Sequence, residues 1–240
     1  RGESMTTALY LEDAYKTSCE TEVIRVEGNK VFVKETVFYP TGGGQECDTG
    51  VIVQDGSVFE VEKVKKEQGE IVHYIKDEAQ VKLGPVKLEI NWERRHNLMR
   101  HHSLLHLIGA VVYEKYGALC TGNQIYPDKA RIDFNELQEL SSVEVEEIVE
   151  EVNKLIKQNK EISTRYMSRE EAENAVGMIK TAINLLPTTI QEIRIVTIEN
   201  LDEQACGGTH VKNTSEIGTL VIDKVKSKGK QNRRFEVRAI

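Results

Sequence analysis

Two short stretches carry residues of a kind that bind metals. In ACGGTH, Cys206 and His210 flank two glycines and a threonine; in HSLLH, His102 and His106 flank Ser103, Leu104 and Leu105. Histidines four apart on a helix stand on one face, one turn apart. Two rings so placed can bind a single metal ion at about 2.0–2.1 Å each. The glycines around Cys206 let its loop bend, so that thiol and imidazole can meet at the same point. Together the four residues form a His3Cys donor set, which suits zinc and suits magnesium or calcium poorly. Each pair alone is weak; their joint occurrence points to a metal. No glutamate follows His102, so the zinc-protease arrangement with a helix-borne glutamate base is absent. His101 lies about a third of a turn from His102, placed to back the ligands or to face a substrate. His73 and His96 have no evident partner and read as surface residues.

A third stretch is YPTGGGQ at Tyr39–Gln45. Gly42, Gly43 and Gly44 permit backbone angles closed to other residues, and they permit close approach by a ligand. The lysine and following helix of a phosphate-binding loop are missing. A plain turn between strands is the competing reading. Gln45 can both donate and accept hydrogen bonds, and its position after three glycines places it in a loop rather than a packed core.

The rest of the chain sets the context. With 240 residues, 39% hydrophobic and 30% charged, it is long enough for one large domain or two ordinary ones and has a soluble, globular balance. A formal net charge of −7 argues against a surface that grips nucleic acid everywhere, but leaves room for local basic patches. One is Lys224–Arg234, with six positive charges; another holds Arg94, Arg95 and Arg100. No apolar run is long enough for a membrane span, and no signal-peptide pattern opens the chain. Cys19, Cys47, Cys120 and Cys206 are scattered without CxxC spacing, so a reducing cytoplasm is expected, not a disulfide framework. The residues RGES precede Met5 and read as extraneous to the native chain.

Local patterns predict the elements that must position these groups. Residues from about Thr21 to Ile90 alternate apolar and polar around Gly28-Asn29 and Asp55-Gly56, a hairpin signature. This predicts a small N-terminal β module over 5–90, a barrel or compact sheet. A helix follows from Asn91 to Tyr116, with apolar residues at Leu98, Leu105, Ile108, Val112 and Tyr116 and a stop at Gly117. Next come a strand at Ala130–Asn135 and an amphipathic helix capped by Ser141 and Glu144. A strand in EISTRYM leads to a short helix, SREEAENAVGM, capped by Ser168 and Glu171. EIRIVTIEN and a final hairpin complete an α+β domain over 91–240.

FYPTGGGQ, RRHNLMRHHSLLHLI and ACGGTHV, in this order, resemble the editing domain of alanyl-tRNA synthetases. They are more similar still to the free-standing alanyl-tRNA editing proteins of the AlaX family, in its medium-length, type II form. The resemblance runs from about Leu9 to the C-terminus. No ATP-binding synthetase domain and no C-terminal oligomerising domain is expected. The resemblance implies a small β-barrel-like module followed by an α+β editing domain with one zinc ion per chain, held by His102, His106, Cys206 and His210. It implies hydrolysis in trans of Ser-tRNA(Ala), with Gly-tRNA(Ala) as a second candidate, and so tRNA(Ala) as partner, with no nucleotide cofactor and no membrane. The family places the glycine segment beside the metal, so Gln45 would position substrate or water, with Gly42, Gly43, Gly44 and Thr209 lining the substrate. Thr121 is the candidate sensor of the serine hydroxyl. Backbone N–H groups of Gly207 and Gly208 would receive the oxyanion. Arg94, Arg95, Lys226, Lys228, Arg233 and Arg234 would contact tRNA. No Asp or Glu stands out as general base. A tRNA-binding module with a structural zinc and no activity, and a zinc hydrolase of small esters or amides, remain open on the sequence alone.

Overall fold

The computed structural model describes residues 6–77, 80–175 and 186–240. The chain divides after Leu98 into two compact units.

In the first unit the chain begins with β1 (Thr7–Ala8). It continues through β2 (Ser18–Glu27), β3 (Lys30–Val33), β4 (Glu35–Thr36), β5 (Gly50–Gln54), β6 (Ser57–Glu67), β7 (Glu70–Ile75) and β8 (Gly84–Ile90). Six of these strands close a barrel in the order β2-β3-β7-β6-β5-β8, so the β module of the sequence reading is a barrel. Closure leaves none of the six as a free edge. Tight turns join the hairpins. Asp55 and Gly56 have φ of 48° and 80°, the two left-handed positions of a type I′ turn, whose twist matches the strands it joins. Val31, Val33, Phe38, Ile52, Val61, Val64 and Leu88, all fully buried, fill the interior.

His73 belongs to that interior. It was expected at the surface, but it has no exposure at all. Strand β7 buries Ile71, Val72 and His73 in succession, so simple alternation fails there. The ring is fully satisfied. Its Nδ1 lies 3.0 Å from the Val31 carbonyl and its Nε2 2.7 Å from Thr36 Oγ1. Thr36 Oγ1 accepts the Phe38 N–H at 3.1 Å, so its own proton is free for Nε2 and Nδ1–H donates to Val31. Burial pushes this imidazole down to about 4. An unfolded histidine titrates near 6.5, so between these values the unfolded chain holds a proton that the folded chain lacks. Stability therefore falls as pH drops from about 6.5 to 4, by about 3 kcal/mol from this group. His73→Asn, which keeps a donor toward Val31, is expected to flatten that slope in urea unfolding followed by Trp92 fluorescence. An identical slope in the variant would show that another group controls it.

Helix α1 (Trp92–Tyr116) begins in the first unit, capped by Asn91, whose Oδ1 accepts the Arg94 N–H at 3.1 Å; from Met99 it belongs to the second unit, and it ends at Gly117 with φ of 69°. The helix is not simply amphipathic. Every residue from His101 to Val112 is buried. A helix enclosed on all sides must find partners for each polar side chain it carries. After β9 (Cys120–Ile125) and β10 (Ala130–Phe134) comes α2 (Ser142–Ile156), with the reciprocal Ser141–Glu144 capping box and Ile148, Val152, Leu155 and Ile156 on its buried side. Then follow β11 (Ile162–Ser168), α3 (Arg169–Asn174), β12 (Glu192–Ile198), β13 (Asp202–Ala205), β14 (Leu220–Ser227) and β15 (Arg233–Ala239). The box at Ser168 and Glu171 opens α3; residues 176–178 of the expected helix lie outside the described residues. One sheet runs β14-β15-β10-β9 and another β11-β12-β13, giving an α+β unit. Arg100 Nε donates to the Ile217 carbonyl at 3.0 Å, and His101 Nε2 accepts the Ala239 N–H at 3.1 Å, which ties α1 to the end of β15. No described helix is long and apolar enough to cross a membrane.

Candidate metal centre

His102, His106, Cys206 and His210 come together, their donor atoms all within 4.8 Å of one another. Helix α1 brings the two histidines to one side because they are a turn apart. The hairpin of β12 and β13 delivers Cys206 and His210 from the loop that follows. Cys206 Sγ lies 3.5 Å from His102 Nε2 and 3.3 Å from His210 Nε2. In a tetrahedral zinc site with Zn–S of about 2.3 Å and Zn–N of about 2.05 Å, sulfur and nitrogen stand about 3.5 Å apart. The donor set therefore fits zinc in both chemistry and spacing. His106 Nδ1 is buried without a hydrogen-bond partner among the described residues, an unmet need in a site otherwise closely packed.

The electrostatics suit ligation. Burial, then the neighbouring ligand imidazoles, hold His102 and His210 well below the usual histidine range. Burial also lowers His106, opposed by the Asp202 carboxylate. All three rings are thus neutral near pH 7, the form that coordinates. Burial pushes the Cys206 thiol up, opposed by the Gly208 N–H and the Arg194 guanidinium. A metal ion entering the site would displace that proton.

Ser103, passed over as a spacer in the sequence, sets one ring. Its Oγ lies 3.0 Å from His210 Nδ1 and accepts the Val211 N–H at 3.2 Å. With Nε2 facing Cys206, Nδ1 carries the proton and donates to Ser103. Losing such a bond behind a ligating histidine typically weakens metal binding by about 10–100-fold. Ser103→Ala is expected to show that loss when zinc affinity is measured against a competing chelator; an unchanged affinity would remove Ser103 from the site.

Other expected site residues are distributed differently. Gly43 and Gly44 have φ of 58° and 83°, and Gly42 and Gln45 exchange backbone hydrogen bonds of 3.1 and 3.0 Å. The glycine segment is thus a type I′ turn. It returns the chain inward, so the Gln45 side chain is fully buried rather than in an open loop. Thr209 is fully buried as well. The Gly208 N–H points at Cys206 Sγ, 3.4 Å away, so it supports the sulfur rather than an incoming oxyanion. Gly207 has open space where a side chain would stand. Thr121 is exposed on β9, its Oγ1 3.4 Å from the Asp133 carbonyl.

The basic residues are mostly engaged. Arg95 is a correction: its side chain is completely buried in an ion pair with Asp48, so it presents nothing to a phosphate. Arg233 is also buried, with Nη1 on the Asn232 carbonyl at 2.8 Å. Arg94 pairs with Glu46 at 3.0 Å, Arg234 with Asp133 at 2.7 Å and Lys226 with Glu236 at 2.6 Å. Lys228 is exposed in the hairpin turn.

A buried helix bearing His-x3-His thus faces a Cys-Gly-Gly-Thr-His loop in an α+β unit, and comparison with known proteins places that unit among domains of the aminoacyl-tRNA synthetases. The family described as threonyl and alanyl tRNA synthetase second additional domain matches residues 193–236, and that described as tRNA synthetases class II (A) matches residues 4–94. The chain is 41% identical to the alanyl-tRNA editing protein AlaX-M of Saccharolobus solfataricus, over 96% of this chain and 97% of that protein. It is also 41% identical to AlaX-M of Methanosarcina barkeri, over 96% of this chain and 98% of that protein. The chain belongs to the AlaX-M family of alanyl-tRNA editing proteins. The alanine–tRNA ligase of Pyrococcus abyssi is 34% identical over 90% of this chain, which corresponds to 24% of the ligase.

Proposed function

We propose that this chain is a cytoplasmic aminoacyl-tRNA deacylase that acts in trans on tRNA(Ala) wrongly charged with serine, and also on Gly-tRNA(Ala). The observation that supports this most is the set of four donor atoms at zinc spacing, three on buried histidines and one on a half-buried cysteine, in a chain aligned over nearly its whole length with AlaX-M proteins. The need is physical. A synthetase pocket shaped for alanine discriminates against a smaller residue or an added hydroxyl by only about 10–200-fold. A second site that hydrolyses the wrong ester supplies the rest.

The bond to be cut joins the aminoacyl carbonyl to the ribose of the terminal adenosine. Zinc, held by His102, His106, Cys206 and His210, would supply a fixed positive centre that orients and polarises the aminoacyl group. The chain's own residues surround it. Neutral imidazoles keep the centre cationic, and Ser103 fixes the ring of His210. The backbone at Gly207, where a side chain would find open space, offers the approach for the acyl group and an N–H toward its oxygen. Thr121 is the proposed hydroxyl sensor, and Gln45 a proposed contributor to positioning. Because Gln45 is buried, Gln45→Ala is expected to lower stability as well as rate.

The deciding measurement compares hydrolysis of Ser-tRNA(Ala), Gly-tRNA(Ala) and Ala-tRNA(Ala) by the purified chain. Fast loss of the first with sparing of the last supports the reading. Equal rates, or binding without hydrolysis, would overturn it. Binding to tRNA is expected to weaken with salt, each phosphate contact on a duplex contributing a slope of about −0.9 in log affinity against log salt. Since Lys226, Arg233 and Arg234 are engaged within the protein, neutralising the exposed Lys224, Lys228 and Lys230 should flatten that slope more than neutralising those three. An unchanged slope would place the tRNA on another surface.

A further inference from the structure

Arg194 stands on β12, ahead of the Cys206 loop, and no spacing in the sequence draws attention to it. It holds that loop at three points. Its carbonyl accepts the Cys206 N–H at 3.1 Å. Its Nη1 donates to the Cys206 carbonyl at 2.8 Å and to the Gly208 carbonyl at 2.9 Å. The carbonyls on either side of Gly207 are therefore drawn to a single nitrogen. This curls Cys206-Gly207-Gly208 tightly enough for the Gly208 N–H to reach back to Cys206 Sγ at 3.4 Å.

Two adjacent glycines would not hold such a turn by themselves, because glycine has the widest backbone freedom of any residue. The guanidinium is planar and arrives pre-organised, so it loses little freedom in gripping two acceptors. Its placement is otherwise costly. The Nε is buried and makes no hydrogen bond among the described residues. A cation beside three imidazoles, at a site that would hold a metal cation, would be repelled by that ion. The anionic member of the donor set is the Cys206 thiolate, and the Arg194 contacts converge on the turn that carries it.

We propose that Arg194 is a positioning residue for the metal centre, fixing the Cys206–Gly208 turn so that the thiolate is presented as a ligand. This rests on the reading that His102, His106, Cys206 and His210 bind a metal. Cobalt(II) is the probe, because a bound thiolate gives a charge-transfer absorption that histidine ligands do not. The wild-type chain is expected to bind one cobalt ion with that absorption, and Cys206→Ser to bind without it. Arg194→Gln should lose most of the absorption, approach the Cys206→Ser spectrum and bind zinc about 10–100-fold more weakly, with far-ultraviolet circular dichroism unchanged. Wild-type absorption and affinity in Arg194→Gln would overturn the assignment. Should that variant not fold, Arg194→Lys decides: an ammonium on a flexible stem is not held in a plane, so at least a threefold weaker affinity and a reduced absorption are expected. Unchanged values in the lysine variant would equally overturn it. A wild-type chain that takes up neither cobalt nor zinc would overturn the metal reading itself, a result distinct from uptake that is indifferent to Arg194.

Discussion

Replacing His102 and His106 together by alanine is expected to leave the purified protein without metal and without deacylase activity. The two rings supply half of the donor set, and their Nε2 or Nδ1 atoms lie within 4.8 Å of the other two donors. Two remaining ligands do not hold zinc against a cellular chelator pool. Structural zinc sites contribute on the order of 10 kcal/mol of binding free energy, which makes this the largest single effect expected in the molecule. The loss of rate should be at least on the order of 10²–10³-fold, the scale for removing a positioned electrostatic group. Elemental analysis should give one zinc per wild-type chain and none for the variant, with a lower thermal midpoint. Full metal content in the variant would mean that the four residues are not the ligands.

Arg95→Met is expected to destabilise the first unit by about 3–5 kcal/mol, the cost of stripping one partner from a buried ion pair. Neither side chain of the Arg95–Asp48 pair has any exposure. Arg95 Nε reaches both Asp48 oxygens, at 2.9 and 3.0 Å, while Nη1 and Nη2 donate to the carbonyls of Ala14 at 3.0 Å and Val37 at 2.6 Å. Asp48 also accepts the Tyr39 N–H at 2.7 Å. Removing the guanidinium therefore strands the Asp48 carboxylate and the Val37 carbonyl away from water. Arg95→Lys should fail to rescue, because an ammonium cannot span this fork of acceptors. The double variant Arg95→Met with Asp48→Asn should lose less than the sum of the single losses, since the stranded charge is gone. Urea midpoints followed by Trp92 fluorescence would test both points. A single-variant loss below about 1 kcal/mol would contradict this account of the pair. Any effect of Arg95 on tRNA binding should then follow the loss of fold and not a change in salt slope.

The four residues of the candidate metal centre are legible in the sequence because each pair is local: a helical repeat in one case, a glycine loop in the other. Hairpin turns and both serine caps are legible for the same reason. What escapes is whatever depends on a distant partner. Ser103 looks like filler until His210, 107 residues away, is brought to it. Arg95 reads as a phosphate contact within a basic run because Asp48, 47 residues earlier, is invisible as its counter-charge. His73 reads as exposed because an imidazole in a strand of alternating pattern gives no sign of Thr36. Arg234 and Lys226 swell an apparent basic tail whose charge is answered by Asp133 and Glu236. The strands β9 and β13 are too polar or too short to announce themselves, yet β13 leads directly into the Cys206 loop.

His102 and Cys206 lie 104 residues apart along the chain. An ion held by both is a cross-link, and it forbids the unfolded chain every arrangement in which those residues separate. Closing a loop of that length costs about 4–5 kcal/mol of chain entropy, a cost that a bound metal imposes on the unfolded state ahead of folding. All four cysteines of this protein are free. Zinc would thus supply a reversible staple of the reach that secreted proteins obtain from a long-range disulfide, in a form that a chelator, rather than a reductant, can undo.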